Sequence, residues 1–366
     1  QSAASNQMEE TMAPMFVPGP VDVDPEVLAA QTQPMLPHRS KEFEEIFHRA
    51  EAKARKLFFT ENRVFIVTAS GTGLQEAAVR NFAQKRVLSC VNGAFGSRWH
   101  DVALNNGKEA TKLEAPWDEP ISADKVAEAL HGQDYEILTV VHNETSTGLE
   151  NPIREIAAAA HEASPDTLIC VDAVSSLSGA KIEMDAWGLD FVLTSSQKAL
   201  ALPPGLALGA TADRALERAA DVQNRGWYFD LVRMENHRTK NSTPATPALS
   251  LIYALDFQLD RILAEGLEER FARHTAMAQR TQSWALANGF GLYAPEGYRS
   301  KTVSTIANTR EMDLAALNAF LKPRDMRVAG GYGTLKGKTF RIAHMGELNL
   351  TDVNALLAAM EEFLAQ

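Results

Sequence analysis

The chain reads as an α/β protein with a large domain built on a mostly parallel sheet flanked by helices, followed by a smaller C-terminal α+β domain. Three observations carry this. Between about Arg63 and Thr211, short apolar runs alternate with amphipathic stretches, the pattern of successive βα units. Those runs are apolar throughout rather than at every second residue, as strands covered on both faces must be. After Ala248 the alternation stops, and a long helical stretch gives way to shorter strands and helices.

The expected strands are 64–67, 87–91, 137–141, 168–171, 191–194 and 206–210, with helices between them at 73–83, 123–130 and 153–163. The helical stretch 248–288 is interrupted near Gly266. Strands at 302–307 and 339–343 and helices at 313–321 and 351–364 complete the chain. We divide it into an N-terminal extension without fixed structure (1–15), a large domain (16–255) and a small domain (256–366). No internal repeat and no low-complexity tract is visible.

The 366 residues carry a net charge of −11. An acidic surface disfavours nucleic acid and anionic membrane as partners. No apolar run approaches the roughly 20 residues of a membrane helix, and the first 15 residues lack the apolar centre and basic start of a signal peptide. The two cysteines, Cys90 and Cys170, fall inside apolar strand runs. They offer neither a disulfide framework nor zinc spacing, and the cytosol is the expected compartment.

The candidate chemistry lies at strand ends, where open α/β sheets bind ligands. Lys198 follows the run 191–194 through Ser195, Ser196 and Gln197. Partial burial there would favour its neutral amine. Position alone fits a solvated surface lysine better. Asp172 ends the run 168–171, where an unpaired carboxylate is costly. A protonated ring nitrogen would serve it as partner, although a helix cap or turn role fits the same position. Ser70-Gly71-Thr72 joins a strand to a helix, whose first N–H groups suit a phosphate. A neutralisable lysine, an anion for a pyridine nitrogen and a phosphate turn are what pyridoxal 5'-phosphate requires of a protein.

Two features tempt in other directions. Gly330 to Thr339 superficially suggests a nucleotide-binding loop, but the required first glycine falls on Tyr332 and a strand follows. His38, His100, His142 and His344 are not at metal-ligand spacing. His344 reads as structural, and His38 lies in a loop that could meet a substrate side chain.

Taken in order, the motifs resemble the class V aminotransferases of fold type I, closest to the alanine–glyoxylate and serine–pyruvate group. They are Val17-Pro18-Gly19-Pro20, the stretch 69–73, Asn92-Gly93-Ala94-Phe95-Gly96, the stretches 142–148 and 171–176, Ser195 to Ala199, the stretch 242–247 and Arg341 to Gly346. Asp172 and Lys198 stand 26 residues apart within this series. The likeness spans nearly the whole chain from Phe16.

The resemblance implies that Lys198 holds the cofactor as an internal aldimine and later moves the substrate proton. It gives Asp172 the pyridinium, Val174 one ring face, Phe95 the other, and Thr145 the ring hydroxyl. Ser70, Gly71, Thr72 and Gln197 would bind the phosphate. Ser242 and Thr243, with Thr246 as an alternative, would reach the phosphate of a neighbouring subunit, making the site a property of a homodimer. Arg341 would grip the substrate α-carboxylate, a bidentate task suited to guanidinium, and Gly19 would lie beside the substrate. Phe95 departs from the tryptophan usual at its position, leaving less stacking area. The implied reaction moves an amino group from alanine or serine to a 2-oxo acid such as glyoxylate or pyruvate in a ping-pong cycle. Aspartate, aminophosphonate or ureidoglycine donors stay open, since pocket shape near Gly19, His38, Phe95 and Tyr332 would decide among them. The competing readings are a class V lyase such as a cysteine desulfurase, which needs a cysteine on a mobile loop, and a non-catalytic subunit.

Overall fold

A computed structural model describes residues 15–366. The extension expected over 1–15 lies outside these residues, apart from Met15. Among the described residues the strands are β1 (Met15–Phe16), β2 (Arg63–Thr68), β3 (Arg86–Val91), β4 (Glu109–Glu114), β5 (Ile137–Val141), β6 (Asn143–Glu144), β7 (Leu149–Glu150), β8 (Leu168–Asp172), β9 (Phe191–Ser195), β10 (Leu206–Thr211), β11 (Gly291–Leu292), β12 (Val303–Ala307), β13 (Arg327–Gly330) and β14 (Thr339–Ala343).

The seven-stranded main sheet runs β2-β10-β9-β8-β5-β3-β4. Its pairings are parallel from β9 to β4, whereas β10 is antiparallel to both β9 and β2. Successive strand residues feed opposite faces. Val64 and Ile66 enter one apolar cluster, Phe65 and Val67 the other. Ile169 and Val171 likewise oppose Leu168 and Cys170. Both faces are thus covered by helices, which is why the runs read as apolar throughout. The exception is the edge strand β4, whose Glu-Ala-Thr-Lys-Leu-Glu sequence is largely exposed. Polar edge strands discourage pairing with other chains, and that polarity hid β4 from the sequence reading.

A second sheet runs β1-β13-β14-β12-β11. Its first strand falls at the start of the span expected to form the large domain. Met15 and Phe16 pair in parallel with Arg327 and Val328, and Phe16 is buried among Ile306, Phe340 and Leu356. A large aromatic side chain is strongly stabilised by that burial, so the described residues start in the second sheet before crossing to the main one. The long helical stretch is two helices, Leu249–Glu265 and Leu267–Ala287, hinged at Gly266. Gly266 sits at φ +91°, a conformation that disfavours any side chain. The first helix packs through Ile252, Leu255, Leu259 and Ile262 onto the main core. The second gives Met277, Trp284 and Ala285 to the other core.

One buried cation ties these parts together. Arg270, with no exposed surface, donates to Ser178 Oγ at 2.8 Å and to the Ala199 carbonyl at 2.9 Å. It also meets Glu265 at 2.7 Å and Glu347 at 2.9 Å. Removing one partner of a buried network strands the others. Arg270→Met is therefore expected to cost about 3 kcal/mol in urea unfolding. An unchanged midpoint would show that the network contributes nothing.

Candidate active site

The carboxyl ends of β5, β8 and β9 open onto a cavity of about 370 Å³, within the range of small-molecule sites. Of the sequence-derived set, Ser70, Gly71, Thr72, Phe95, Thr145, Asp172, Val174, Gln197 and Lys198 line it. Asp172 is the last residue of β8, and Lys198 follows β9 after the two residues Ser196 and Gln197.

The Lys198 amine is buried and donates to the Pro18 carbonyl. Burial lowers its pKa to about 8, helped by the neighbouring Arg341 and Arg98 cations and opposed by Asp172. Gly19 is bent to φ +101°, and a Cβ there would sit 2.7 Å from Lys198 Cδ. Its smallness serves the approach of the lysine.

Asp172 is fully enclosed, which pushes its carboxyl above the usual range. Its Oδ2 accepts from Gln75 Nε2 at 2.7 Å and its Oδ1 from the Val174 N–H at 2.8 Å. These two bonds favour the charged form against that penalty. Around the same cavity, Gln75 Oε1, Asn143 Oδ1 and Ser195 Oγ are buried without hydrogen-bond partners. Buried polar atoms are costly when unsatisfied, which marks the space as one shaped for a polar occupant.

Ser70 precedes the helix Gly71–Phe82, yet its side chain caps nothing. The positive end of the helix therefore faces the cavity uncompensated. A Cβ on Gly71 would meet Val174 Cγ2 at 2.5 Å; glycine lets this turn and the segment after β8 close together. Arg98 Nη1 reaches Thr72 Oγ1 at 3.5 Å. The Thr145 and Ser175 hydroxyls are 2.6 Å apart. The Phe95 ring stacks on Tyr332 at 5.7 Å and 17°.

Arg341, from the middle of β14, brings the second sheet into the site. Its Nε donates to the Gly330 carbonyl at 3.0 Å and its Nη1 to the Thr145 carbonyl at 3.3 Å. These are neutral acceptors, and desolvation lowers its pKa. A buried guanidinium so placed favours an anionic ligand.

Arg98, Gln75, Asn143, Ser175 and Ser195 were absent from the sequence-derived set. Two carried a helical signal: Arg98 follows Phe95 by one turn and Gln75 follows Thr72 by one turn. Ser242 and Thr243 do not reach the cavity of their own chain. They line a separate groove with Thr68, Tyr228 and Thr246, where Thr243 Oγ1 donates to the Ala245 carbonyl at 2.7 Å. His344 is held between Ser304 Oγ at 2.9 Å and the Lys301 carbonyl at 3.1 Å, with its pKa driven by burial to about 4. His142 is buried against Ser176 and Trp187. Cys90 and Cys170 lie inside β3 and β8, with burial raising the Cys90 pKa to about 12 and that of Cys170 well above the thiol range. Neither supplies a thiolate.

An amine that loses its proton near neutrality, set beside a buried guanidinium, suits carbonyl chemistry on an amino acid. The site thus defines an enzyme that handles amino groups. Comparison with known proteins names the family: the chain belongs to the class-V aminotransferases, whose family model matches residues 26–344. It is 37% identical over 95% of its length to an uncharacterized aminotransferase of Methanocaldococcus jannaschii, covering 91% of that protein. It is 36% identical to an L-aspartate–glyoxylate aminotransferase of Paracoccus denitrificans, across 94% of this chain and 88% of the relative. The crystal structure of an alanine–glyoxylate aminotransferase from Nostoc sp. superposes with a TM-score of 0.91 at 30% identity, covering 98% of this chain and 97% of that one. The cofactor of this enzyme class is pyridoxal 5'-phosphate. The uncapped helix end, the enclosed Asp172 and the unpartnered polar atoms fit its phosphate and ring nitrogen.

The depressed Lys198 pKa has a consequence for stability. Between its folded value of about 8 and the ordinary 10.5, the unfolded chain binds the extra proton, so stability rises with pH across that window. Below about 8 the penalty of burying the charged amine is present in full, and above 10.5 it is gone. Lys198→Met should therefore stabilise the cofactor-free protein by up to about 3 kcal/mol at pH 7, with the gain fading towards pH 10.5. Urea unfolding at several pH values measures this, and a pH-independent difference would contradict the burial of the amine.

Proposed function

We propose that the enzyme moves the amino group of a small amino acid, alanine or serine, to a 2-oxo acid, glyoxylate or pyruvate, in two half-reactions at Lys198. The carrying observation is that Arg341 Nη1 donates to the carbonyl of Thr145 at 3.3 Å, and Thr145 lines the same cavity as Lys198. A donor held by its α-carboxylate on Arg341 would present its amino group and Cα to Lys198. Glyoxylate stands in the names of both characterised relatives above, which supports it as acceptor.

When bound, pyridoxal 5'-phosphate supplies an electron sink and exchanges the amino group. The rest falls to the chain. Asp172, fixed by Gln75 and the Val174 N–H, keeps an anion at the ring nitrogen. Ser70, Gly71, Thr72 and Gln197 hold the phosphate at the helix end. Val174 and Phe95 flank the ring, and the Thr145 hydroxyl donates to the ring oxygen. Gly19 leaves room for Lys198 and the donor. Lys198 Nζ takes the proton from the donor Cα and, once protonated, returns it. Its pKa of about 8 suits both directions near neutral pH.

We further propose a homodimer in which Ser242 and Thr243, turned away from their own cavity, serve the phosphate site of the second copy. The groove around them is rimmed by the exposed Trp227 and Tyr228, the residue types favoured at interfaces. With both cysteines buried and unpaired, the cytosol is the compartment we assign. A desulfurase reading lacks its nucleophile, since both thiols are locked in strands. An aspartate donor keeps support from the Paracoccus relative.

L-alanine or L-serine added to the loaded protein should convert its absorbance to that of the pyridoxamine form, and glyoxylate or pyruvate should restore it. Silence with every donor in a panel that includes aspartate would sink the proposal. Arg341→Lys loses the bidentate geometry and should cut kcat/KM for the donor by about 10- to 100-fold, chiefly through KM, with the cofactor spectrum kept.

A further inference from the structure

The loop that joins β13 to β14 carries a feature that the reaction as described leaves unused. Tyr332 stands at the rim of the site and touches three of its groups. Its ring stacks on Phe95 at 5.7 Å. The Arg341 guanidinium lies 5.5 Å from its centroid. Its hydroxyl accepts from Arg98 Nη2 at 3.4 Å, while the Arg98 guanidinium lies 4.7 Å over the Phe95 ring.

Its position is set by its neighbours. A Cβ on Gly331 would meet the Leu335 carbonyl at 2.1 Å. Gly333 sits at φ +60°, and a Cβ there would be 3.1 Å from Trp117. The backbone on both sides is thus pressed against its surroundings, and the second contact reaches a residue that follows β4. The backbone that carries the tyrosine is thereby fixed, while its ring is 39% exposed at the rim.

We propose that Tyr332 is the specificity-determining residue for the donor side chain; this rests on the reading that Arg341 holds the α-carboxylate. A donor anchored on Arg341 has its Cβ substituent directed at the Tyr332 ring, whose centroid lies 5.5 Å from that guanidinium. The ring blocks long side chains. The hydroxyl, with Arg98 behind it, offers one polar partner to a short hydroxylated chain. The site therefore takes donors of the alanine and serine size, with discrimination set by contact area and one hydrogen bond.

The test compares wild type, Tyr332→Ala and Tyr332→Phe as loaded enzymes. Alanine, serine, 2-aminobutyrate and leucine are the donors. Tyr332→Ala should raise the leucine-to-alanine ratio of kcat/KM about tenfold or more. Tyr332→Phe should keep that ratio within about threefold but lower the serine-to-2-aminobutyrate ratio about tenfold. Calorimetry with unreactive acids gives a readout free of turnover. Hexanoate should bind no tighter than propionate to wild type, and about tenfold tighter or more to Tyr332→Ala. If all donors change by one common factor in both variants and the acids bind alike, Tyr332 is only structural and the inference falls, whether or not aminotransfer stands. If the hexanoate result holds while no donor turns over on wild type, the aminotransfer reading fails and the role of Tyr332 survives.

Discussion

Everything at this site turns on an amine that is buried but not paired with an acid. Lys198 has the Pro18 carbonyl as its hydrogen-bond partner, a neutral acceptor that does little to hold a proton. Desolvation and the Arg341 and Arg98 cations push the proton off, and Asp172 alone pulls the other way. A carboxylate in direct contact would have raised the pKa and ended the usefulness of the amine. The fold keeps Asp172 nearby but satisfies it with Gln75 and a backbone N–H. Acid and amine therefore share the cavity without neutralising each other.

A second carboxylate organises the surrounding groups without joining the chemistry. Glu144 is fully buried, and burial raises its pKa. Its Oε2 accepts from the N–H groups of Phe95 at 3.0 Å and Gly96 at 3.1 Å, and its Oε1 from Ser146 Oγ at 2.6 Å. It closes the N-terminus of the helix Ala94–Asn105, whose own N-cap, Gly93, has no side chain to do so. A Cβ on Gly93 would lie 2.2 Å from Glu144 Cγ, so the glycine exists to admit this carboxylate. Since Thr145 follows Glu144 and its carbonyl accepts from Arg341, one buried residue aligns Phe95, Thr145 and the guanidinium.

The sheet and most residues that line its cavity were legible because they obey local rules. Apolar runs bounded by Ser, Gly and Thr mark strand ends, and strand ends mark ligand positions in such sheets. Lys198, Asp172 and the Ser70-Gly71-Thr72 turn were found that way, with the order of motifs deciding between open alternatives. What stayed hidden depends on contacts far apart in sequence. Phe16 in two residues of strand has no periodicity to read, although its pairing with Val328 places this first described strand in the second sheet. Gln75 and Arg98 look like ordinary surface residues of helices until the segments after β8 and β13 close over them. Ser195 and Asn143 stand out by one unpartnered buried oxygen each, Oγ and Oδ1.

The placement of that first strand explains why two sheets make one site. Phe16 is buried in the second core, and two residues later the Pro18 carbonyl meets the Lys198 amine at the end of the main sheet. The second sheet returns through β14 to set Arg341 beside the same lysine, and through Tyr332 to cover Phe95. Any rotation of the second sheet against the first would move the lysine's acceptor, the Arg341 guanidinium and the Tyr332 ring together. Arg270 resists such rotation, since it spans from the second helix to the Ala199 carbonyl beside Lys198 and to Glu347 beyond β14. The geometry that tunes one amine is thus the geometry that holds the two cores in register.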